Sequence, residues 1–447
     1  MPSNNRPLLP VQNSMTSYWM KDPHRLASYR TSSTVPEQCD IAVIGTGMSG
    51  VATAYHILSD PHIGSEKPSV VLLEARQACS GATGRNGGHT KLSIPIIQRT
   101  AETHGPEAAV QMVRHHLDQL AALKEVVDKE GIDCDLRVTR SFDIFFDEKH
   151  AQKMEEFLSR EEARGTPWTQ EVQWIEKAQS DKITGVRNTK GALCVPAVSL
   201  WPYKLFTELL SKVLELGGQL YTETCVTEVK EDAGQATLTT SRGTLIAKKT
   251  IFATNAYTAA LLPQYESIIT PLKGQNSHLS PAPSFTPPNP LANTYNLHFD
   301  SHYADYLVPR PDGTIILGGA KWTYEHDRKI WWNNVDDTTL INDATTEHFD
   351  SVIADHFSGW ENARAHHDMV WTGIMASTPD VLPHVGRVPG SKNQWVLAGF
   401  NGAGMTQIFT MTQAIARMVT RGAEYDDTGL PGMFKTTDAR LAVRHQV

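Results

Sequence analysis

The chain has 447 residues, 40% of them hydrophobic and 20% charged, so it is long enough to bury a large core and divide into about two domains rather than stay disordered. Its formal charge of -8 speaks against a nucleic-acid or anionic-membrane partner, because phosphates select clusters of Lys and Arg, and it mildly favours a cationic ligand. Cys39, Cys79, Cys134, Cys194 and Cys225 are odd in number and lack CxxC spacing, which suggests neither a disulfide framework nor a zinc site and fits a reducing compartment. Residues 1–38 are polar and turn-rich, with isolated rings at Tyr18, Trp19 and Tyr29, and read as an extended arm that docks those rings on the main body. The opening MPSNNRPLLPVQNSM lacks the continuous apolar stretch of a secretory signal, and no later run is long enough to cross a bilayer. The final RHQV is no peroxisomal address, so a soluble, cytoplasmic protein is expected.

From Cys39 the pattern becomes strand (CDIAVIG), Gly-rich turn and helix (TGMSGVATAYHILSD), then strand (SVVLLEA), a βαβ unit. Residues 100–180 carry helical periodicity, as in AAVQMVRHHLDQLAALKEVVDKEG. The helix YKLFTELLSKVLELGG ends in a Gly pair and leads to QLYTETCVTEVKE, ATLTTSRGTLIA and KKTIFATNA, read as one strand joining the first sheet plus a small meander. Residues 272–370 hold Pro-rich turns, strand-like runs such as ADYLVPRPDGTIILGGA, and a helical TTEHFDSVIADHFSGW. The tail repeats strand (QWVLAGF), Gly-rich turn (NGAG) and helix (MTQIFTMTQAIARMVT).

Gly45, Gly47 and Gly50 form GxGxxG between an apolar strand and an amphipathic helix, and Glu74 ends the next strand, where a carboxylate can accept both hydroxyl hydrogen bonds of a ribose. The coincidence of strand, glycines, helix and acid predicts a bound dinucleotide without a 2′-phosphate. Gly45 permits the turn, Gly47 the approach of the pyrophosphate and Gly50 the packing of helix on strand, while Met48 and Ser49 open the helix whose N-H groups face the anion. The alternative is a Gly-rich turn with no ligand. Beyond Glu74, ARQACSGATGRNGGH is dense in glycine around Arg85 and Asn86. Such a loop either wraps a pyrophosphate and a flat ring system, or is a flexible surface loop.

These motifs resemble the D-amino-acid oxidase superfamily of flavoproteins, most closely its gamma-glutamylputrescine oxidase-like and fungal FAD-dependent oxidoreductase branches. The resemblance runs through SYW, CDIAVIGTGMSGVATAYHI, SGATGRNGGH, LWPYKLFTELL, TETCVTEV, TGIMASTPDVLPHVGRVP and VLAGFNGAGM. It implies an α/β (α+β) fold in which a Rossmann-like FAD-binding domain, residues 39–100, 190–271 and 366–447, interleaves with a mixed-sheet substrate domain, residues 101–189 and 272–365. It further implies that Glu74 and Ala75 hold the adenosine ribose, that the backbone of Val226 meets the adenine, and that Thr254, Asn255 and Ala256 line the cofactor. Thr83, Gly84, Arg85, Asn86, Gly87, Gly88 and His89 would contact pyrophosphate and isoalloxazine. Gly399, Gly402, Ala403, Gly404 and Met405 would precede a helix aimed at the redox end of the ring. Relatives that tether FAD use a Cys just before the TPD that here is Thr378, Pro379 and Asp380. This chain has GIMAS there, with Gly373 near the tether position, so non-covalent FAD is expected. Ala403 replaces the His of a GHG found in many relatives, and Thr406 aligns with a carboxylate-binding Lys.

The chemistry implied is oxidation of the C-N bond of an amine or of a secondary or derivatised amino acid by hydride transfer to flavin N5, with O2 as acceptor and H2O2 as product. Alternatives are a flavin dehydrogenase using another acceptor, a non-catalytic FAD-binding protein, and an NAD-only dehydrogenase. Candidate catalytic groups are Lys321, as a cation for oxygen chemistry or a solvated surface residue, and His89, at the ring edge or as a structural histidine. Tyr306 and Arg310 are candidates for substrate contact or ordinary sheet residues, and Trp371 for a pocket wall or core packing. The paired histidines His115-His116 and His366-His367 lack acidic partners at ligand spacing, and no metal is assigned.

Overall fold

The computed structural model describes residues 8–64, 66–232, 234–287 and 290–445, so the first seven residues of the predicted arm and the last two of RHQV lie outside the described residues. Two mixed sheets organise the chain, one of eight strands and one of nine. The first sheet runs in the order His384–Arg387, Gln394–Ala398, Gly243–Phe252, Gln38–Ile44, Val70–Leu73, Gln219–Tyr221, and all neighbours but the first pair are parallel. Both faces are covered: Val43 and Leu72 pack toward helices Met48–Leu58, Pro202–Glu215 and Ile408–Arg421, while Ile44 and Leu73 pack into a second cluster with Leu261 and Tyr265. Hence Val70–Leu73 and Gln394–Ala398 are buried at every residue and show no polar alternation. The predicted βαβ unit is present, with Ile41 registered on Val70 and Ile44 on Leu73.

The expected meander is Val226–Asp232, Gln235–Thr240 and Gly243–Phe252. Its last strand is unbroken from Gly243 to Phe252, so GTLIA and KKTIF form one strand and not two. The turn falls earlier, at residues 241–242, ahead of Gly243 with its φ of 121°.

The second sheet runs His366–Ser377, Thr270–Ser280, Ile315–Gly318, Ala304–Pro309, Thr294–His298, Arg137–Phe145, Ala192–Ser199, His89–Lys91, with Gln173–Ile175 also on Ala192–Ser199. Arg137–Phe145 lies within a stretch read as helical, and its long antiparallel pairing with Ala192–Ser199 overrides that local signal. One face of this sheet is apolar. Leu297, Leu307, Ile315 and Leu317 pack there with Phe349, Val352 and Ile353 of helix Asp343–His356. Because side chains alternate, the register row Trp371, Asn276, Gly318, Tyr306, Asn296, Asp143 lies on the opposite face.

The arm docks through two of its three rings: Trp19 is 0% and Tyr18 2% exposed, whereas Tyr29 is 39% exposed. The Trp19 ring meets Trp201 edge to face at 5.5 Å, and the Arg310 guanidinium lies 5.0 Å from the one and 5.4 Å from the other. Among the described residues no helix is long and apolar enough to cross a membrane.

Burial lowers the pKa of His56, His89, His116 and His384 to about 3 and that of His115 to about 4. These imidazoles fold neutral, and unfolding returns them to about 6.5, so the unfolded chain binds more protons below that pH. Stability from this source is complete above about pH 6.5 and is lost as pH falls toward about 3. Thermal midpoints measured from pH 8 to pH 4 are expected to fall steadily below pH 6.5, and a flat profile would contradict this account.

Candidate functional site

The first βα turn is built by close approach. A Cβ on Gly50 would stand 1.9 Å from the Gly45 carbonyl oxygen, so only glycine lets the helix begin this near the strand. Gly45 itself has φ of 102°. Helix Met48–Leu58 starts behind Gly47, which offers no side-chain cap, and Thr83 Oγ1 accepts the Met48 N-H at 2.8 Å. Thr83 is thereby fixed at the positive end of the helix. The Glu74 carboxylate is aimed by neighbours on both sides: Oε2 accepts from Thr46 N at 2.9 Å and Thr46 Oγ1 at 2.8 Å, and Oε1 from Arg76 N at 3.0 Å.

Around this turn lies an open channel. Gly45, Gly47, Met48, Ser49, Glu74, Ala75, Thr83, Val226, Thr254 and Asn255 all line it. Gly50 lies behind the turn, and Ala256 is buried and off the wall. Arm residues Leu9 and Pro10 form part of the wall, and Ile374, Phe400 and Ile408 form another part. Two further lining residues carry polar groups that sequence reasoning missed. Arg76 follows Glu74 by two positions, a spacing that placed it within reach of notice. Tyr257 carries no local signal, yet its hydroxyl is buried without a hydrogen-bond partner among the described residues. An orphaned hydroxyl, a helix start behind a glycine and an aimed carboxylate along one channel fit an anionic dinucleotide such as FAD.

Arg76 Nη1 donates to both oxygens of Asp337 at 2.9 Å, and Arg85 Nε stands 3.7 Å from Asp337 Oδ2. All three side chains are buried. The Arg85 guanidinium, expected to pair with ligand charge, is engaged by protein: Nε donates to Ser80 O, Nη1 to Thr372 O, and Nη2 to Ser14 Oγ and Met15 O, at 2.7–2.8 Å. Arg85 therefore ties the Gly-rich loop to the arm and to the second sheet. The rest of that loop is latched in the same way. Ser17 Oγ donates to Gly84 O, Trp19 Nε1 to Asn86 O, and Asn86 Oδ1 accepts from Gly88 N. A Cβ on Gly84 would strike Met20 and Cys79 O, and one on Gly88 would strike Trp19, so these glycines serve the docking of the arm.

Gly87 faces the second sheet, where a Cβ would lie 2.4 Å from the Tyr306 ring. Tyr306 Oη donates to Asn276 Oδ1 at 2.6 Å, and Asn276 Nδ2 and Trp371 Nε1 donate to the Arg85 carbonyl at 2.6 and 2.9 Å. Gly318 makes this possible, since a Cβ there would stand 2.3 Å from Tyr306 Oη. His89 lies beside Tyr306, ring centroids 5.7 Å apart, and its Nδ1 has no hydrogen-bond partner among the described residues. Two residues on, Lys91 pairs with Asp143 Oδ1 at 2.5 Å, and His298 Nε2 lies 2.8 Å from the same oxygen. This buried trio also escaped sequence reasoning, and its one signal was the His-Thr-Lys alternation of an edge strand.

The other candidates lie apart. Lys321 is exposed and pairs with Glu325 Oε1 at 2.9 Å, outside the cleft. Arg310 is buried and bound to Asp135 Oδ2 at 2.6 Å beneath the arm. Trp371 is a buried support of the loop, as its bond to Arg85 shows. A Cβ on Gly373 would lie 3.1 Å from Arg85 Cβ, and one on Gly402 would lie 3.5 Å from Met375 Sδ. Gly399 N donates to Asn255 Oδ1, joining two loops of the channel. The tail helix begins at Ile408, later than the expected Met405, because Gly404–Thr406 forms a tight turn first. That turn is held by Gln119 Nε2 on Met405 O and by His115 Nε2 at 3.0 Å from Gln407 O.

Two substitutions separate the local roles. Glu74→Gln keeps shape and loses charge, and is expected to weaken FAD binding about tenfold without unfolding the chain, read by flavin titration of the apoprotein. Asp337→Asn leaves two buried guanidiniums without a counter-charge and is expected to lower stability by about 3–5 kcal/mol in urea titration.

Comparison with known proteins agrees with this geometry. The gamma-glutamylputrescine oxidoreductase of Escherichia coli (strain K12) is 23% identical over 423 residues, covering 92% of this chain and 90% of that protein. The glycine oxidase of Geobacillus kaustophilus (strain HTA426) is 22% identical over 366 residues, covering 80% of this chain and 87% of that one. The crystal structure of glycine oxidase from Geobacillus kaustophilus superposes with a TM-score of 0.71 at 20% identity, covering 90% of this chain and 99% of that one. That of L-proline dehydrogenase from P. horikoshii gives 0.69 at 20% identity, covering 87% and 95%. With the DAO model, "FAD dependent oxidoreductase", matching residues 40–418, the chain belongs to the DAO family and is an FAD-dependent oxidoreductase.

Proposed function

We propose that this oxidoreductase oxidises the C-N bond of an amine, or of a secondary or derivatised amino acid, with O2 as electron acceptor. The overall change is substrate amine plus O2 and water giving carbonyl product, released amine or ammonia, and H2O2. The bound flavin supplies the two-electron acceptor for this chemistry. The chain's own residues position the substrate. The observation that carries the reading is the uncharged polar pair opposite Gly87: Tyr306 and His89. Burial pushes the Tyr306 phenol up and the His89 imidazole down to about 3, so both are neutral at physiological pH. A neutral pair offers hydrogen bonds to an amine nitrogen without the repulsion that an imidazolium would impose on a cation. The relatives named above, gamma-glutamylputrescine oxidoreductase and glycine oxidase, are named for nitrogen-bearing substrates of this class.

Non-covalent attachment of FAD is part of the proposal. Cys79, which directly precedes the Gly-rich loop, is buried, and its thiol donates to Thr46 O at 3.1 Å. Burial raises its pKa well above the ordinary thiol range, which withholds the reactive thiolate. The five cysteines are all unpaired, in keeping with the cytoplasmic location proposed.

An anaerobic panel of amines and amino acids is expected to contain at least one compound that bleaches the flavin, with one H2O2 formed per substrate in air. Failure of every amine to reduce the flavin would overturn the substrate class, and reduction without peroxide would replace O2 by another acceptor. Acid precipitation is expected to leave the yellow colour in the supernatant.

A further inference from the structure

Residues 9–20 of the N-terminal arm form no strand, and only Tyr18–Met20 make a short helical turn. Ordering such a segment loses conformational entropy at every residue, which its contacts must offset. Those contacts run in chain order along the ion cluster and the Gly-rich loop. Val11 O accepts from Arg76 Nη1 at 3.3 Å, Ser14 Oγ and Met15 O accept from Arg85 Nη2 at 2.8 and 2.7 Å, and Met15 N donates to Asp337 O at 3.0 Å. Ser17 Oγ then donates to Gly84 O and Trp19 Nε1 to Asn86 O, each at 2.5 Å, while Trp19 O accepts from Trp201 Nε1 at 2.9 Å.

Just before this row of bonds, the arm reaches the cofactor channel itself. Leu9 and Pro10 are half-buried and line the channel together with Glu74, Ala75, Thr83 and Tyr257. Arg76 lines it too, and its Nη1 is the donor to Val11 O, so the fastening of the arm begins at the channel wall. Among the described residues Leu9 and Pro10 take part in no hydrogen bond, and the bonded stretch that follows sets their position. The ring of Pro10 fixes its φ and stiffens that approach. A ligand lying in the channel would cover apolar surface of both residues, and such burial is favourable.

We propose that the arm is a working part of the FAD site: Leu9 and Pro10 cover the bound cofactor, and the fastening at residues 11–19 holds them there. Cofactor and arm then stabilise each other. By linkage the effect is reciprocal, and whatever the docked arm adds to FAD affinity, bound FAD adds to docking of the arm. The arm also selects the shape of the loop. It bonds the carbonyls of Gly84 and Asn86, and Met20 and Trp19 leave no room for a side chain at Gly84 and Gly88. The inference rests on the FAD site and not on the substrate class.

The test uses the full chain and needs no turnover. Release of bound FAD is followed by the rise of free-flavin fluorescence after dilution. The double variant Leu9→Gly with Pro10→Gly strips the cover and leaves the fastening. Ser17→Ala with Trp19→Phe removes two fastening bonds and leaves the channel wall. Each is expected to release FAD about ten- to a hundredfold faster than wild type, and Tyr29→Ala, which alters an exposed ring outside the fastening, to release it at the wild-type rate. Amide hydrogen exchange of residues 11–19 is then measured on the apoprotein with and without added FAD. FAD is expected to slow it about tenfold in wild type and by less in the Leu9→Gly, Pro10→Gly variant. A wild-type release rate in either double variant would overturn the inference, even where the thermal midpoint of the apoprotein falls, since that result describes an arm with a structural role only. Exchange that FAD leaves unaltered in wild type, or release sped equally by Tyr29→Ala, would overturn it as well. Because no amine is oxidised, failure of the proposed reaction would be recognised as a separate result.

Discussion

A single buried carboxylate, Asp337, sits between two guanidinium groups and holds the wall of the cofactor channel. Arg76, the member of this cluster that lines the channel, is bonded to both oxygens of Asp337, and the Glu74 carboxylate lines the same channel. Arg85, the other base, is spent on the protein: it joins the Gly-rich loop, the arm at Ser14 and Met15, and the strand at Thr372. If this cluster failed, arm, loop and second sheet would lose their common fastening. Burying charge in this way is costly unless hydrogen bonds satisfy the groups, and here the arm provides several of them.

The same fastening sets the sheet face proposed to meet the substrate. Trp371 and Asn276 both donate to the Arg85 carbonyl, and Asn276 in turn receives the Tyr306 hydroxyl. Loop position, sheet position and phenol orientation are therefore one hydrogen-bonded unit, which small residues at Gly87 and Gly318 leave room for. Behind it, Lys91, Asp143 and His298 form a second closed cluster on three strands of that sheet. Asp143 is held down to about 2 even though burial alone would raise it, because Lys91 and His298 outweigh the burial. Rigid, neutral and enclosed surroundings of this kind suit an enzyme whose protein part acts by positioning.

Two hollows then share one wall. The channel collects the groups that suit a dinucleotide, and the neighbouring hollow is lined by the exposed Arg99 and by His116, whose Nδ1 has no partner among the described residues, with Phe400 between them. Their adjacency follows from the C-terminal Gly-rich segment, which turns tightly at residues 399–406 and is pinned from helix Pro106–Glu130 by His115 and Gln119.

The amino-acid sequence by itself determined the first βα turn, the acid at Glu74, the tail helix and the family, because each depends on contacts within some thirty residues: glycine backbone freedom, helix periodicity, and one strand beside the next. What it could not determine was which polar groups meet across the chain. Arg85 and Arg310 look alike in sequence to ligand-binding arginines, yet their partners, Asp337 with the arm for one and Asp135 for the other, lie up to 252 residues away or across an entire sheet. Lys321 follows a strand-like run and Lys91 a Gly-rich loop, yet the paired register of the second sheet buries Lys91 against Asp143 and leaves Lys321 in solvent. Local propensity carries no information about such long-range pairing, and so tertiary structure alone decided which side chains became supports and which were left facing the two cavities.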